Sequence, residues 1–171
     1  MSAHRFTTFA YGSNMPAARL RERCPSARAL GIAELPGHEL RWHKRSIDGS
    51  GKCDIVAVDT PNASVFGVLY EILADEKPAL DRAEGLNKGY DEDAVEVIFD
   101  GTRMTATAYR ATDTDSALSP YTWYRALVIA GAKEHRLPAS YIAGLESVPA
   151  DEDANRARHN ERMALIEGVR A

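Results

Sequence analysis

Apolar and polar residues along the first two-thirds of this chain follow the short, alternating pattern that is typical of β-strands. Turn signals such as Pro36-Gly37 and Thr60-Pro61-Asn62 separate these runs. Asp100-Gly101, between two alternating runs, is a strong signal for a β-hairpin. The predicted strands are Phe6–Tyr11, Ala29–Leu35, His38–Lys44, Asp54–Asp59, Val65–Ile72, Ala94–Phe99 and Thr102–Arg110.

Helical spacing of apolar residues interrupts the strands twice and dominates the chain after Asp113. Ser13 or Asn14 is predicted to cap the first helix. Asp75 is predicted to cap the second helix, and Gly85 is placed to end it. The predicted helices are Met15–Arg23, Asp75–Glu84, a helix that starts at Ser119-Pro120, Ser140–Leu145 and Ala154–Ile166.

Strands that group early and helices that group late argue against the regular alternation of a Rossmann-type sheet. They favour an α+β fold, and a small mixed or antiparallel β-barrel with flanking helices would leave no exposed sheet edge. The 171 residues show no internal repeat and no linker rich in Gly, Ser or Pro. We therefore predict a single domain over residues 1–171, in which residues 151–171 form a peripheral C-terminal helix.

Composition narrows the functional classes. The formal net charge of −4 argues against a general nucleic-acid-binding protein, which would carry a basic face. No apolar run is long enough to cross a bilayer, and the first ten residues lack the apolar core of a secretory signal. Cys24 and Cys53 form no Cys-x-x-Cys pair, so free thiols and a cytoplasmic location are expected, although a contact between them stays open.

Metal and nucleotide sites have little support in the sequence. The histidines show neither His-x-x-x-His spacing nor a Cys/His cluster, so we predict no metal site. Gly49-Ser50-Gly51 lacks the strand–turn–helix setting of a dinucleotide-binding loop and is predicted to be a flexible loop. The histidines considered are His38, His43, His135 and His159.

The tetrapeptide Tyr11-Gly12-Ser13-Asn14 is the first candidate binding site. It lies between the first predicted strand and the first predicted helix. A glycine lets the backbone approach a ligand, and the N–H groups at a helix start attract negative charge. Taken alone, the motif is also compatible with an ordinary turn. Since it does not match Gly-x-Ser-x-Gly, Ser13 is interpreted as a polar turn residue and not as a nucleophile.

Glu84 is the candidate catalytic carboxylate. It ends a predicted helix, where the negative end of the helix dipole disfavours an anion. A residue that opposes its local preference is a candidate functional residue, although most glutamates are simply solvated. Tyr11, Tyr90, Tyr121 and Tyr124 also lie beside turns, and each is compatible with an ordinary core role.

Three separated stretches together resemble the γ-glutamylcyclotransferase family, including its AIG2-like branch. The similarity runs from near the N-terminus to about Pro149, and the residues beyond Asp151 have no clear counterpart. The three stretches are Phe9-Ala10-Tyr11-Gly12-Ser13-Asn14-Met15; Leu80-Asp81 through Glu84-Gly85 with Gly89-Tyr90; and Ser119-Pro120, Tyr124, Gly131-Ala132-Lys133-Glu134 and Leu137-Pro138.

This resemblance implies a small β-barrel with flanking helices and an enzyme that needs no metal or organic cofactor. In the implied reaction, the α-amino group of a small γ-glutamyl compound attacks its own γ-carbonyl and releases 5-oxoproline and an amino acid or amine. Glu84 would be the acid/base, and the turn Tyr11–Asn14 would bind substrate. Tyr90 and Tyr124 would orient the glutamyl group, with Tyr121 competing for the place of Tyr124.

The sequence leaves several alternatives open. The chemistry could instead serve the deprotection of a biosynthetic γ-glutamylamine, or the domain could be a non-catalytic small-molecule-binding module. The acidic run Asp91-Glu92-Asp93 departs from many relatives and is expected either to be solvated or to disfavour anionic leaving groups. A homodimer would cover apolar surface on the last helix.

Overall fold

The computed structural model describes residues 2–86 and 88–170. The strands are β1 (Arg5–Ala10), β2 (Arg28–Pro36), β3 (His38–Arg45), β4 (Gly51–Ala57), β5 (Ser64–Leu73), β6 (Tyr90–Phe99) and β7 (Thr102–Ala111). The helices are α1 (Ala17–Arg23), α2 (Lys77–Glu84), α3 (Thr122–Glu134), α4 (Ala139–Glu146) and α5 (Arg156–Arg170), and a 3₁₀ turn (Ala74–Glu76) precedes α2. No helix in the described ranges is long and apolar enough to cross a membrane.

A closed β-barrel in the order β1-β5-β2-β6-β7 forms the centre of the fold, and β3 and β4 form a separate hairpin. β1 pairs antiparallel with β5 along its whole length. The barrel closes where β1 pairs parallel with β7 at Thr8 and Thr107. Closure leaves no open edge among these strands, which is the physical advantage expected of a barrel. The predicted α+β barrel with flanking helices is therefore confirmed.

Local turn chemistry explains where several elements end. Asp100 and Gly101 both have positive φ, 51° and 77°, as a two-residue hairpin of the I′ type requires between β6 and β7. Gly85 adopts the left-handed conformation directly after α2 and accounts for the end of that helix. The predictions made from these two glycines are confirmed.

The predicted helix caps are wrong. α1 begins at Ala17 with Pro16 as its N-cap, and no side chain caps it. α2 begins only at Lys77, after the 3₁₀ turn, and its N-cap residue likewise forms no side-chain cap. Ser13, Asn14 and Asp75 therefore do not have the predicted role. The side chain of Asn14 bonds instead to residues that are distant in sequence, described below.

The barrel interior and the flanking helices share one hydrophobic core. Phe9, Val68 and Val97 are buried inside it, and α3 contributes Trp123 and Tyr124. α5 packs against α3 through Leu127, Ala130 and the fully buried Ile166. The C-terminal helix thus has few apolar contacts, but these contacts place one of its faces firmly on α3.

A buried carboxylate also fixes the start of α5. Asp153 accepts hydrogen bonds from Trp123 Nε1 at 2.9 Å, from Arg158 Nε at 2.5 Å and Nη2 at 2.7 Å, and a fourth from the Asn155 backbone N–H at 2.9 Å. These bonds to Arg158 hold the pKa of Asp153 well below its usual range. The polar contacts of Asp153 therefore join α3 to α5 where apolar contacts are sparse.

Replacing Gly131 by Ala should destabilise the protein by about 1–3 kcal/mol, the usual cost of overpacking. An added Cβ would lie 2.7 Å from Met15 Cβ and 2.7 Å from Pro16 Cδ, so α3 could no longer approach the residues after β1. Urea unfolding measures the change. Gly144→Ala is the matched control, because its Cβ meets open space in α4 and a helical alanine is neutral or stabilising. Equal stability of the two variants would contradict the packing explanation.

Asp153→Asn should lower the free energy of unfolding by about 2 kcal/mol near neutral pH, because the buried carboxylate loses the charge with which it binds the partly exposed guanidinium of Arg158. The folded-state pKa of Asp153 is depressed, so its contribution is present above the unfolded pKa of about 4 and is lost as the pH falls below that value. The difference from wild type should therefore shrink in acid. Glu152→Gln, at an exposed ion pair with Arg156, should change little at any pH.

Candidate active site

A pocket lies at the end of the barrel where β1 and β7 finish and β6 begins. β1 and β7 run parallel, so their carboxyl ends meet at the same edge, and the turn after β1 forms one wall. The C-terminal end of α2, β4 and α3 supply the other walls. The pocket is thus built from elements that are far apart in the sequence.

All of the site residues predicted from the sequence line this pocket. Glu84 stands opposite a turn that is 70 positions earlier in the chain, so only the tertiary fold brings them together. The predicted residues that it contains are Tyr11, Gly12, Ser13, Asn14, Glu84, Tyr90 and Tyr124. Tyr121 lies elsewhere and donates a hydrogen bond to the Asp48 carbonyl at 2.9 Å, so Tyr124 occupies the contested position.

A hydrogen-bonded chain holds the Glu84 carboxylate in place. Asn14 Nδ2 donates to Glu84 Oε1, and Arg23 Nη1 donates to Asn14 Oδ1. Asn14 therefore uses both ends of its amide, one on the carboxylate and one on the guanidinium. This arrangement fixes the orientation of Glu84 relative to the turn after β1.

Opposing influences act on the acidity of Glu84. Burial raises the pKa of Glu84 above its ordinary value. The positive charge of Arg23 opposes this most strongly, followed by the hydrogen bond from Asn14. The net direction is upward, which suits a carboxyl group that must both accept and return a proton.

The tyrosine hydroxyls of the pocket are anchored on Cys53 of β4. Tyr90 donates to the Cys53 carbonyl at 2.8 Å, whereas the Cys53 N–H donates to Tyr124 Oη at 3.1 Å. Tyr90 Oη can therefore still accept a hydrogen bond, and Tyr124 Oη still has its proton to donate. Burial raises the pKa of both tyrosines well above the ordinary value, so they remain neutral hydroxyls.

Tyr11, which also lines the pocket, is held by two successive hydrogen bonds. Its hydroxyl donates to the Tyr109 carbonyl, and the Tyr109 hydroxyl donates to Asp81 Oδ1 at 2.5 Å. Gly12 lies against the opposite wall, where an added Cβ would be 3.2 Å from Cys53 Cβ and 3.3 Å from Tyr124 Oη. Glycine at this position lets the backbone of the turn reach the pocket floor.

Sequence reasoning missed the residues that support the site. In the sequence, Arg23 is a basic residue in the last turn of a predicted helix. Such residues are common on protein surfaces and do not by themselves indicate a site. Tyr109 sits in an alternating strand and carried no signal at all. Cys53 was considered only as a thiol, whereas its backbone N–H and carbonyl are the groups that position the two tyrosines.

The two cysteines are free and buried. Burial raises the pKa of Cys24 to about 11 and that of Cys53 to about 12, so both remain protonated thiols. Within the described ranges, no group of three or more His, Cys, Asp or Glu side chains is arranged to hold a metal ion.

The acidic run after Tyr90 does not reach the pocket. Glu92 pairs with Lys77 at 2.9 Å, and Asp93 pairs with Arg110 at 2.6 Å. Asp91 is exposed on the same strand. The structure therefore supports a solvated, ion-paired surface and removes the basis for expecting this run to repel anionic leaving groups.

This chain is similar to known proteins in both sequence and structure. Residues 64–145 match the AIG2-like family. Gamma-glutamylcyclotransferases of Bos taurus and Homo sapiens are each 31% identical to this chain over 149 residues, which cover 84% of the chain and 78% of each relative. A solved structure of a gamma-glutamyl cyclotransferase is 25% identical and superposes with a TM-score of 0.83 over 96% of this chain and 99% of the other.

Proposed function

Because this chain belongs to the γ-glutamylcyclotransferase family, we propose that it converts a γ-glutamyl amino acid or peptide into 5-oxoproline and the free amine. Its sequence relatives are named as enzymes of this type. The single observation that carries the proposal is the contact of the Glu84 carboxylate with Asn14, in a pocket where tyrosine hydroxyls stand among mostly apolar side chains.

Glu84 would move the protons of the reaction. The α-amino group of the substrate arrives as an ammonium ion and becomes nucleophilic only after it loses a proton to the Glu84 carboxylate. Its lone pair then attacks the γ-carbonyl carbon, and a tetrahedral oxyanion forms. Glu84 returns the proton to the amide nitrogen as the bond between that nitrogen and the γ-carbon breaks. The ring nitrogen still carries one proton more than a lactam N–H, and it passes this proton to the released amine, which leaves as an ammonium ion. The products are therefore 5-oxoproline and the protonated amine, and Glu84 is again ionised.

The remaining lining residues would hold the substrate in its curled conformation. The backbone N–H groups of the Tyr11–Asn14 turn are suited to a carboxylate or the developing oxyanion. Tyr124, with a proton to donate, would bind a substrate oxygen, and Tyr90, with an oxygen that accepts, would bind the ammonium group. Since the attack is intramolecular, holding this geometry supplies a large part of the rate acceleration.

The same contact favours an enzyme over a non-catalytic binding module. A binding module needs no carboxylate with a raised pKa beside its ligand. Here Glu84 bonds directly to the turn that would hold the substrate. Burial raises the pKa of Glu84 in the direction that proton transfer requires.

Glu84→Gln should leave the fold intact and lower the rate of 5-oxoproline release by about 10²–10⁴-fold, because the amide cannot take up the proton. Chromatographic detection of 5-oxoproline across a panel of γ-glutamyl amino acids, peptides and amines measures the effect. Asp91→Asn, an exposed carboxylate on β6, is the control and should retain the wild-type rate. A wild-type rate from folded Glu84→Gln would contradict the assignment.

The dependence of kcat/KM on pH should reflect the pKa of Glu84 and the charges that shift it. Its pKa is raised, so kcat/KM should begin to fall in acid at a pH above about 4.3, the ordinary value for glutamate. Arg23→Gln should move this acid limb to still higher pH, because a positive charge that stabilises the carboxylate is lost.

Arg21→Gln is the matched control for the pH profile. Arg21 lies on the same helix, but its guanidinium donates to the Ala27 carbonyl and not to Asn14. The acid limb should therefore stay at the wild-type pH in this variant. An acid limb that is unchanged or lower in Arg23→Gln would show that another group is being titrated.

A further inference from the structure

A second, more open pocket lies directly beside the first, and we call it the outer pocket. Ser13, Glu84, Tyr90 and Tyr124 line both spaces. The outer pocket is also bounded by α1, by residues 46–48 and by α5. A substrate whose reacting carbonyl lies near Glu84 can therefore extend its leaving group into this space.

The outer pocket is strongly cationic, although the chain as a whole has a net charge of −4. The carboxylates in its wall are Asp48, which pairs with Lys52 at 3.2 Å, and Glu84. Arg158 is paired with Asp153 behind the wall. Six cations against these three carboxylates leave an excess of three positive charges, and Glu22 outside the wall offsets part of the charge of Arg19. The cations are Arg19, Arg23, Lys44, Lys52, Arg158 and Arg162.

These cations interact unfavourably with one another. The Nε atoms of Arg19 and Arg162 are buried and have no hydrogen-bond partner in the described part of the chain. Burial, Arg23 and Arg162 lower the pKa of Arg19 to about 10. Burial lowers the pKa of Lys52 to about 8. The positive charges of Arg162 and Arg19 also lower this pKa, whereas Asp48 raises it. Anionic groups bound among them would relieve this repulsion and satisfy the free donors.

We propose that the outer pocket binds the leaving group of the substrate and that this group carries at least two negative charges, as an acidic amino acid does. The proposal rests on the proposed cyclotransferase function. A γ-glutamyl dipeptide with a neutral second residue brings only its terminal carboxylate into the outer pocket. An acidic second residue adds another carboxylate, and guanidinium groups bind planar carboxylates in a paired geometry.

The C-terminal helix is central to this preference. Arg158 and Arg162 both lie on α5, beyond the stretches of sequence that resemble the family. Arg158 is fixed by Asp153, and Arg162 lies over the Trp123 ring, with its guanidinium carbon 5.5 Å from the ring centroid. Their side chains are thus held at the pocket wall. The segment that seemed peripheral in the sequence supplies two of the six cations.

The test compares γ-glutamyl-glutamate with γ-glutamyl-glutamine, which have nearly the same size and shape and differ by one charge. The wild-type kcat/KM should be at least about tenfold higher for the glutamate compound, which corresponds to about 1.4 kcal/mol. This ratio should fall as the salt concentration rises from about 0.05 to 0.5 M, since partly exposed charges are screened. A ratio of one or less, with the glutamine compound still cyclised, would overturn this inference and leave the proposed function standing.

A different outcome would contradict the proposed function itself. If neither compound, nor any other member of the γ-glutamyl panel, released 5-oxoproline, the cyclotransferase activity would be excluded. Calorimetric titration of the intact protein with the same two dipeptides would then decide the charge preference separately. Tighter binding of the glutamate compound supports the cationic subsite, whereas equal affinity contradicts it.

Substitutions of two arginines test whether the preference for an acidic leaving group arises in the outer pocket. Arg19→Gln and Arg162→Gln should each lower the glutamate-to-glutamine ratio of kcat/KM by several-fold, and the double variant should bring it close to one. Arg156→Gln is the matched control, because this arginine is also on α5 but pairs with Glu152 outside the pocket. Circular dichroism verifies that each variant is folded. A wild-type ratio in the double variant would overturn the inference.

Discussion

The geometry of the candidate site depends on the side-chain amide of Asn14, which forms hydrogen bonds through both its nitrogen and its oxygen. Its nitrogen binds Glu84 at the end of α2, and its oxygen binds Arg23 at the end of α1. One short side chain therefore aligns two helix ends with the turn after β1. If Asn14 capped α1, its oxygen would be used on local N–H groups and this link could not form. The loss of a local cap is offset by a contact that positions the candidate catalytic carboxylate.

The charge of this site is concentrated in one carboxylate. Tyr90 and Tyr124 are held as neutral hydroxyls by burial, and both are positioned by the backbone of Cys53. The hydroxyls can donate or accept hydrogen bonds without competing for protons. The basic side chains lie one layer further out, where they influence what binds and, through Arg23, the acidity of Glu84.

The sequence was most informative where structure is decided locally. Gly85 and Asp100-Gly101 end or reverse the chain for reasons contained in two residues, and the structure has those turns. The capping role of Asn14 could not be predicted correctly, because its partners are 9 and 70 positions away. The last helix was predicted to be peripheral, since no local pattern distinguishes a helix at the surface from one that forms the wall of a pocket. Glu84 was singled out locally because it opposes its helix dipole, and the family resemblance then implied its role as acid/base.

Closure of the barrel through the parallel pairing of β1 and β7 bears on how the protein folds. The carboxyl ends of these two strands meet only when the first residues of the chain have found partners about one hundred positions later. Such distant pairings form late, because a long loop must first lose its conformational freedom. The nascent protein therefore cannot form the complete pocket until β7 and Tyr124 of α3 have been synthesised.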